Sequence, residues 1–131
     1  MTGLLRRLLS RNRPEGPRCS AVVAAAGNSS RMGGEDKLLL PIGEQPVLVR
    51  TLRTLDECPY ITEIIVVTRS DLIVPVGQLC KDCAFSKVTK LIVGGADRTH
   101  SVLAGLREIS PKAGLVAVHD GARPLLSQQV L

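Results

Sequence analysis

The sequence predicts an α/β fold, a parallel sheet with helices on both faces, and three observations carry that prediction. Apolar runs of strand length alternate with segments of helical periodicity from residue 20 onward. One run, Glu63-Ile64-Ile65-Val66-Val67-Thr68, is almost continuously β-branched, the composition of a strand covered on both sides. Pro59, Gly94-Gly95, Pro111 and Gly114 fall between the runs as punctuation.

In order, Ser20 to Val23 is a short apolar run that predicts the first strand. Pro46 suits the first position of a helix over Val47 to Glu57, whose apolar stripe is Val47, Leu48, Leu52 and Leu55. Glu63 to Thr68 is the second strand. Pro75 is expected to open a helix running to Ala84, and Val88 to Val93 is the third strand. A helix over Thr99 to Ile109 follows, with Val102, Leu103, Leu106 and Ile109 expected on its buried side. Leu115 to Val118 is the fourth strand, and Ser127 is positioned to cap a last helix. This β-α-β-α-β-α-β succession gives a parallel sheet, here expected in the strand order 3-2-1-4. Ligands then bind beyond the carboxyl ends of strands one and four, which flank the switch point.

Composition narrows the function classes. At 131 residues the chain is one domain, long enough to bury roughly two-thirds of its unfolded surface. Tyr60 and Phe85 are its only aromatic residues, so the core is aliphatic and base-stacking platforms for single-stranded nucleic acid are missing. The net charge of +5 is concentrated in residues 1–18, where Arg6, Arg7, Arg11, Arg13 and Arg18 stand against Glu15. That basicity belongs to an N-terminal extension, with residues 19–131 as the folded part, and nucleic acid is not the expected partner. Leu4, Leu5, Leu8 and Leu9 can make the extension a short amphipathic helix, or it is a solvated tail. No apolar run is long enough for a membrane span. Cys19, Cys58, Cys80 and Cys83 form no disulfide framework, and the lone Cys80-Lys81-Asp82-Cys83 lacks the second pair or histidines of a zinc site. Reduced thiols and a cytoplasmic location are the expectation.

Two loops carry the chemistry. Ala24-Ala25-Ala26-Gly27-Asn28-Ser29-Ser30-Arg31-Met32-Gly33-Gly34-Glu35-Asp36-Lys37 follows the first strand. Its small residues let backbone N–H groups approach an anion, and Arg31 and Lys37 supply charge suited to a triphosphate. It is neither G-x-x-x-x-G-K-[ST] nor G-x-G-x-x-G, so neither a P-loop nor a dinucleotide fingerprint is present. The second loop, His119-Asp120-Gly121-Ala122-Arg123-Pro124, leaves the fourth strand. Plainer readings remain open at this stage: Arg31 as a surface cation, Lys37 snorkelling at the rim of the apolar stretch it begins, and Asp120 capping a turn.

Residues 20–131 resemble the cytidylyltransferases that act on 2-C-methyl-D-erythritol 4-phosphate. The A-A-G-x-x-x-R-M-G…K loop is common to many nucleotidyltransferases, so it marks only the superfamily. Gly94-Gly95-Ala96-Asp97-Arg98-Thr99-His100-Ser101-Val102 fits the family's G-G-x-x-R-x-x-S-V, and Val118-His119-Asp120-Gly121-Ala122-Arg123-Pro124 fits its V-H-D-[AG]-A-R-P. The resemblance implies a Rossmann-like fold and transfer of a cytidylyl group from CTP to a polyol phosphate, with pyrophosphate released and Mg²⁺ as cofactor. It implies catalytic roles for Arg31 and Lys37, metal binding at Asp120, and nucleotide contacts from Ala25, Ala26, Gly27, Gly95 and Ser101. Ser101 also suits a cap or helix-face role. Arg98 and Arg123 are expected to brace the loops, His119 to pack at a strand end, and His100 to lack an acidic neighbour in its motif.

Family chains continue well beyond residue 131. They carry there the arm exchanged between subunits of a homodimer, the acceptor pocket and a further catalytic lysine. This chain is therefore expected to be an amino-terminal fragment, with the fourth strand left as an apolar edge. Ribitol phosphate and molybdopterin are alternative acceptors within the superfamily, and a CTP-binding module without catalysis is the alternative to an enzyme.

Overall fold

The computed structural model describes residues 16–27 and 38–131. Its centre is a four-stranded sheet built from β1 (Cys19–Ala25), β4 (Ile61–Thr68), β5 (Val88–Val93) and β6 (Leu115–Asp120). The order is β5-β4-β1-β6 and every pairing is parallel, which is the 3-2-1-4 arrangement expected from the sequence. Between β1 and β4 lie a two-stranded hairpin, β2 (Pro41–Ile42) and β3 (Gln45–Pro46), and helix α1 (Val47–Glu57). Helices α2 (Ile73–Asp82) and α3 (Arg98–Leu106) make the other two crossovers.

The central strands are buried on both faces because their middle residues, Ala21 to Val23 and Ile64 to Val67, are apolar without alternation. Ala21, Val23, Ile64 and Val66 point into a core shared with Leu48, Leu52, Leu55 and Val76, so α1 and α2 cover that face. Val22, Ile65 and Val67 point the other way, towards Leu106 of α3. Fully burying each such aliphatic side chain contributes roughly 1.5–3 kcal/mol, which fixes the central pair β1 and β4.

The α1 stripe of Val47, Leu48, Leu52 and Leu55 is buried as expected. Pro46 sits one residue earlier than expected, at the cap position, with φ −56°. A 3₁₀ turn at Ser70–Leu72 precedes α2, and Pro75 falls inside the helix's first turn, where a missing N–H costs nothing. Helix α2 ends at Asp82, and Ala84, at φ 54°, turns the chain back towards β5. The hairpin was not foreseen; Gly43, with φ 67°, sits first in its two-residue turn, where a positive φ is required.

Two expectations are corrected. Helix α3 ends at Leu106, and its buried positions are Ser101 and Gly105, while Leu103 is 43% exposed. The helix packs so close to the sheet that Ser101 and Gly105 take the fully buried positions, while Val102, Leu106 and Ile109 are only partly buried, Leu106 at the edge of the Val22–Ile65–Val67 cluster. No helix forms after Ser127; the segment turns instead, with Val130 N–H donating to the Ser127 carbonyl at 3.1 Å. All four cysteines are free, as expected.

Candidate functional site

The carboxyl ends of the strands gather the motifs at one end of the sheet. Ala24 of β1 stands directly opposite Asp120 of β6 in the ladder, so the turn through Ala25, Ala26 and Gly27 begins beside the aspartate. The Gly121 N–H donates to the Ala24 carbonyl at 3.0 Å and ties the two loops together. On the other side, Gly94 continues β5, its N–H donating to the Thr68 carbonyl at 2.8 Å. A Cβ on Gly94 would lie 2.6 Å from Ala26 Cβ and 2.6 Å from Ser101 Oγ. Only glycine lets these three segments meet.

Gly95, Ser101 and Asp120, with the Ala25–Gly27 turn, lie at this end of the sheet. The Gly95 N–H donates to Ser101 Oγ at 3.1 Å, and Ser101 is buried, so the two act as one unit. Asp97 caps α3, its Oδ1 accepting from the His100 N–H at 2.8 Å and lying 2.8 Å from His100 Nδ1. These bonds, the backbone one first, hold the Asp97 carboxyl below its ordinary value. His100 thus does have an acidic neighbour, three residues back in its own motif. That position lies one helical turn away and was overlooked in the sequence. With Asp97 serving as the cap, Ser101 is left facing the sheet. Arg31 and Lys37 lie outside the described residues, as does nearly all of the N-terminal extension, residues 1–15.

Asp120 closes β6, and the chain after it anchors its carboxylate. Its Oδ1 accepts the Ala122 N–H at 3.0 Å, and its Oδ2 lies 3.9 Å from Arg123 Nε. The turn-capping reading of Asp120 is thus borne out, and it uses one oxygen. His119 is half-buried at the strand end, its Nε2 3.0 Å from the Arg123 carbonyl. Arg123 itself is largely exposed and Arg98 is exposed at the start of α3, so neither is a tight brace.

Three residues at this end escaped notice in the sequence. Thr68 closes β4 and donates from a fully buried hydroxyl to the Ala25 carbonyl at 3.2 Å. Arg69 follows it; its Nη1 donates to the Gly27 carbonyl at 3.3 Å and its Nε pairs with Asp71 Oδ1 at 3.1 Å. Thr51 of α1 donates to the Gly121 carbonyl at 2.9 Å. The available signal was position: Thr68 and Arg69 end a strand of a parallel sheet, where ligand loops begin.

The donor set suits a hard cation held mainly by water and phosphate oxygens. Asp120 is one carboxylate with one oxygen left for a cation, and no group of three His, Cys, Asp or Glu side chains is placed to hold a metal among the described residues. A cavity of about 480 Å³ between α2 and β5 lies by the other, amino-terminal end of β5, lined by Gly77, Cys80, Phe85 and Leu91. Burial pushes the Cys80 thiol up to about 11, so it is a protonated wall and not a nucleophile at neutral pH. No helix among the described residues is long and apolar enough to cross a membrane.

A four-stranded parallel sheet in this order, with glycine-rich and aspartate-bearing loops meeting at its carboxyl end, defines a Rossmann-like nucleotide-binding architecture. Residues 19–131 match the family described as 2-C-methyl-D-erythritol 4-phosphate cytidylyltransferase, and the chain belongs to that family. It is 43% identical to the enzyme of that name from Symbiobacterium thermophilum over 116 residues, covering 86% of this chain and 46% of the relative. The corresponding enzyme of Halalkalibacterium halodurans is 36% identical over 111 residues, 84% of this chain and 48% of the relative. Among solved structures, the 4-diphosphocytidyl-2C-methyl-D-erythritol synthase of Anaerococcus prevotii superposes with a TM-score of 0.69 at 30% identity, over 88% of this chain and 48% of that one. The chain spans about half the length of the curated relatives it matches.

Proposed function

We propose that the complete protein transfers a cytidylyl group from CTP to 2-C-methyl-D-erythritol 4-phosphate, releasing pyrophosphate, and that residues 19–131 form its nucleotide-binding part. The observation that carries this reading is the junction of the Ala25-Ala26-Gly27 turn with the Asp120 loop on adjacent strands.

The substrate phosphate attacks the α-phosphorus of CTP in line, and negative charge builds on the α-phosphate and bridging oxygens. Catalysis is then chiefly positioning and charge stabilisation. In this reading Lys37 stabilises the α-phosphoryl charge and Arg31 grips the triphosphate and the departing pyrophosphate. Amides of Ala25, Ala26 and Gly27, with the Gly95–Ser101 unit, read the pyrimidine; the alanines leave no space for a purine. Asp120 holds Mg²⁺, which when bound neutralises phosphate charge. The complete protein is proposed to work as a cytoplasmic homodimer, neither on nucleic acid nor at a membrane.

Lys37→Ala in the complete protein is expected to lower turnover by on the order of a hundredfold or more, the loss that follows removal of a charge-stabilising donor. Pyrophosphate release near the wild-type rate would refute the role given to Lys37. Titrating the 131-residue chain with CTP and Mg²⁺ while assaying pyrophosphate separates binding from catalysis. Offering methylerythritol phosphate, ribitol phosphate and molybdopterin to the complete protein identifies the acceptor.

A further inference from the structure

We infer that Thr51 is a positioning residue for the Asp120 carboxylate, acting through the Gly121 carbonyl; this rests on the proposed use of Asp120 as a metal ligand. Thr51 lies on α1, seventy positions from Gly121 in sequence, and its side chain is fully buried. Its single hydroxyl proton has two acceptors in range, the Gly121 carbonyl at 2.9 Å and the Val47 carbonyl one turn back at 3.3 Å. The shorter contact leaves the helix for the loop, whereas a threonine serving only its own helix would bond the earlier turn alone.

The consequence is that Gly121 is pinned from both sides. Its N–H donates to Ala24 of β1 and its carbonyl accepts from α1. Its Cα is also enclosed: a Cβ there would come within 3.1 Å of Leu48, 3.3 Å of Ala25 and 3.3 Å of Val23. Asp120 thus sits between a strand ladder and an immobilised peptide. With Oδ1 occupied by the Ala122 N–H, Oδ2 is the oxygen left for a cation, its one charged neighbour among the described residues being the exposed Arg123, whose Nε is 3.9 Å away. Groups that orient a metal-binding side chain typically influence affinity by about 10–100-fold when removed.

The test compares Thr51→Val, which keeps the shape and removes the donor, with Thr51→Ser, which restores it. Mn²⁺ binding with CTP is measured by calorimetry and Mn²⁺ paramagnetic resonance on the 131-residue chain, with CTP binding in EDTA and thermal midpoints alongside. Thr51→Val should weaken Mn²⁺–CTP by about tenfold or more, leave metal-free CTP binding within about twofold, and speed exchange of the Ala122 amide. Thr51→Ser should recover most of the affinity whatever its thermal midpoint. Should Thr51→Val not fold, Thr51→Ala, a better helix former, carries the same expectation. Wild-type affinity in the valine or alanine variant overturns the inference, and so does equal loss in valine and serine variants. A wild-type chain that binds no Mn²⁺–CTP overturns the functional reading and this role with it. That result is distinguished by its independence of residue 51.

Discussion

The same substitution, glycine to alanine in a helix interior, should have opposite signs at Gly77 and Gly105. Alanine is favoured over glycine in a helix by about 1 kcal/mol at both positions. At Gly77 of α2 the new methyl would find its nearest neighbour, Leu91 Cδ2, at 3.5 Å, an ordinary contact. Gly77→Ala is therefore expected to stabilise by about 0.5–1 kcal/mol. At Gly105 of α3 the methyl would stand 2.5 Å from Val22 Cγ1 and 2.9 Å from Val67 Cγ2. Carbon atoms pack at about 3.5–4.0 Å, so helix and sheet must part by roughly 1 Å.

Neither valine can yield cheaply. Both are completely buried on the central strands and both are stiff at χ1. Overpacking of this kind costs about 1–3 kcal/mol, with the upper part of that range expected here, leaving Gly105→Ala destabilised by about 1–2 kcal/mol. Urea unfolding of the two variants measures this directly, with midpoints moving in opposite directions at unchanged slope. Thermal midpoints should part in the same sense, by roughly 4 °C per kcal/mol. Gly105→Ala should also weaken CTP binding, because Ser101 rides on the same helix. A Gly105→Ala chain as stable as the parent would refute the close seating of α3.

Two further predictions concern titrating groups. With its thiol near 11, Cys80 carries about one thiolate in a thousand at pH 8, against about a tenth for an unshifted thiol at 9.0. Iodoacetamide should modify it roughly a hundredfold more slowly than the same cysteine in urea, and equal rates by peptide mass mapping would contradict its burial. The protonated thiol also stabilises the fold fully below pH 9, and that contribution should fade as the pH rises from 9 through 11. Asp97→Ala should lower the thermal midpoint by uncapping α3. Because the Asp97 carboxyl is depressed in the folded state, its contribution is present above 3.8 and disappears as pH falls through the folded value. A gap between parent and variant that stayed constant from pH 7 to pH 2.5 would discount the cap.

The parts legible in the sequence are those that backbone chemistry dictates. The β-branched run ending at Thr68 had one reading, and so did the α1 stripe, because period and composition agree there. The βαβ succession gave the parallel sheet, and the expected 3-2-1-4 order is the one found. The α3 face was misjudged because Val102, Leu103, Leu106 and Ile109 outweigh Ser101 and Gly105 in any hydrophobicity pattern. What decides the matter is how near the helix approaches the sheet, a distance that periodicity does not encode. Thr51 was illegible for a related reason: a threonine in a helix has no local mark of a partner tens of residues away, whereas Thr68 was marked only by its place at a strand end. The hairpin passed unseen because its strands are two residues each, too short for any period to register.

The placement of Asp120 explains why so many groups converge on it. β6 pairs only with β1 among the described residues, and Leu115, Val116 and Val118 remain substantially exposed along it. α3 packs against β1, β4 and β5, so that side of β6 lacks the cover given to Val22 and Val67. A strand with one neighbour and little side-chain burial is the member of a sheet with most freedom to swing. In the function proposed above, the carboxylate at its end meets a nucleotide beside β1, and such a contact needs placement to within about 0.5 Å. Packing of β6 alone does not supply that accuracy. Hydrogen bonds to better anchored elements do, through the Ala24 carbonyl and the Thr51 hydroxyl to the two peptide groups that flank the Gly121 Cα. Precision at the site is borrowed from the core, which is why residues remote in sequence and invisible to motif reading are the ones whose loss should be felt there.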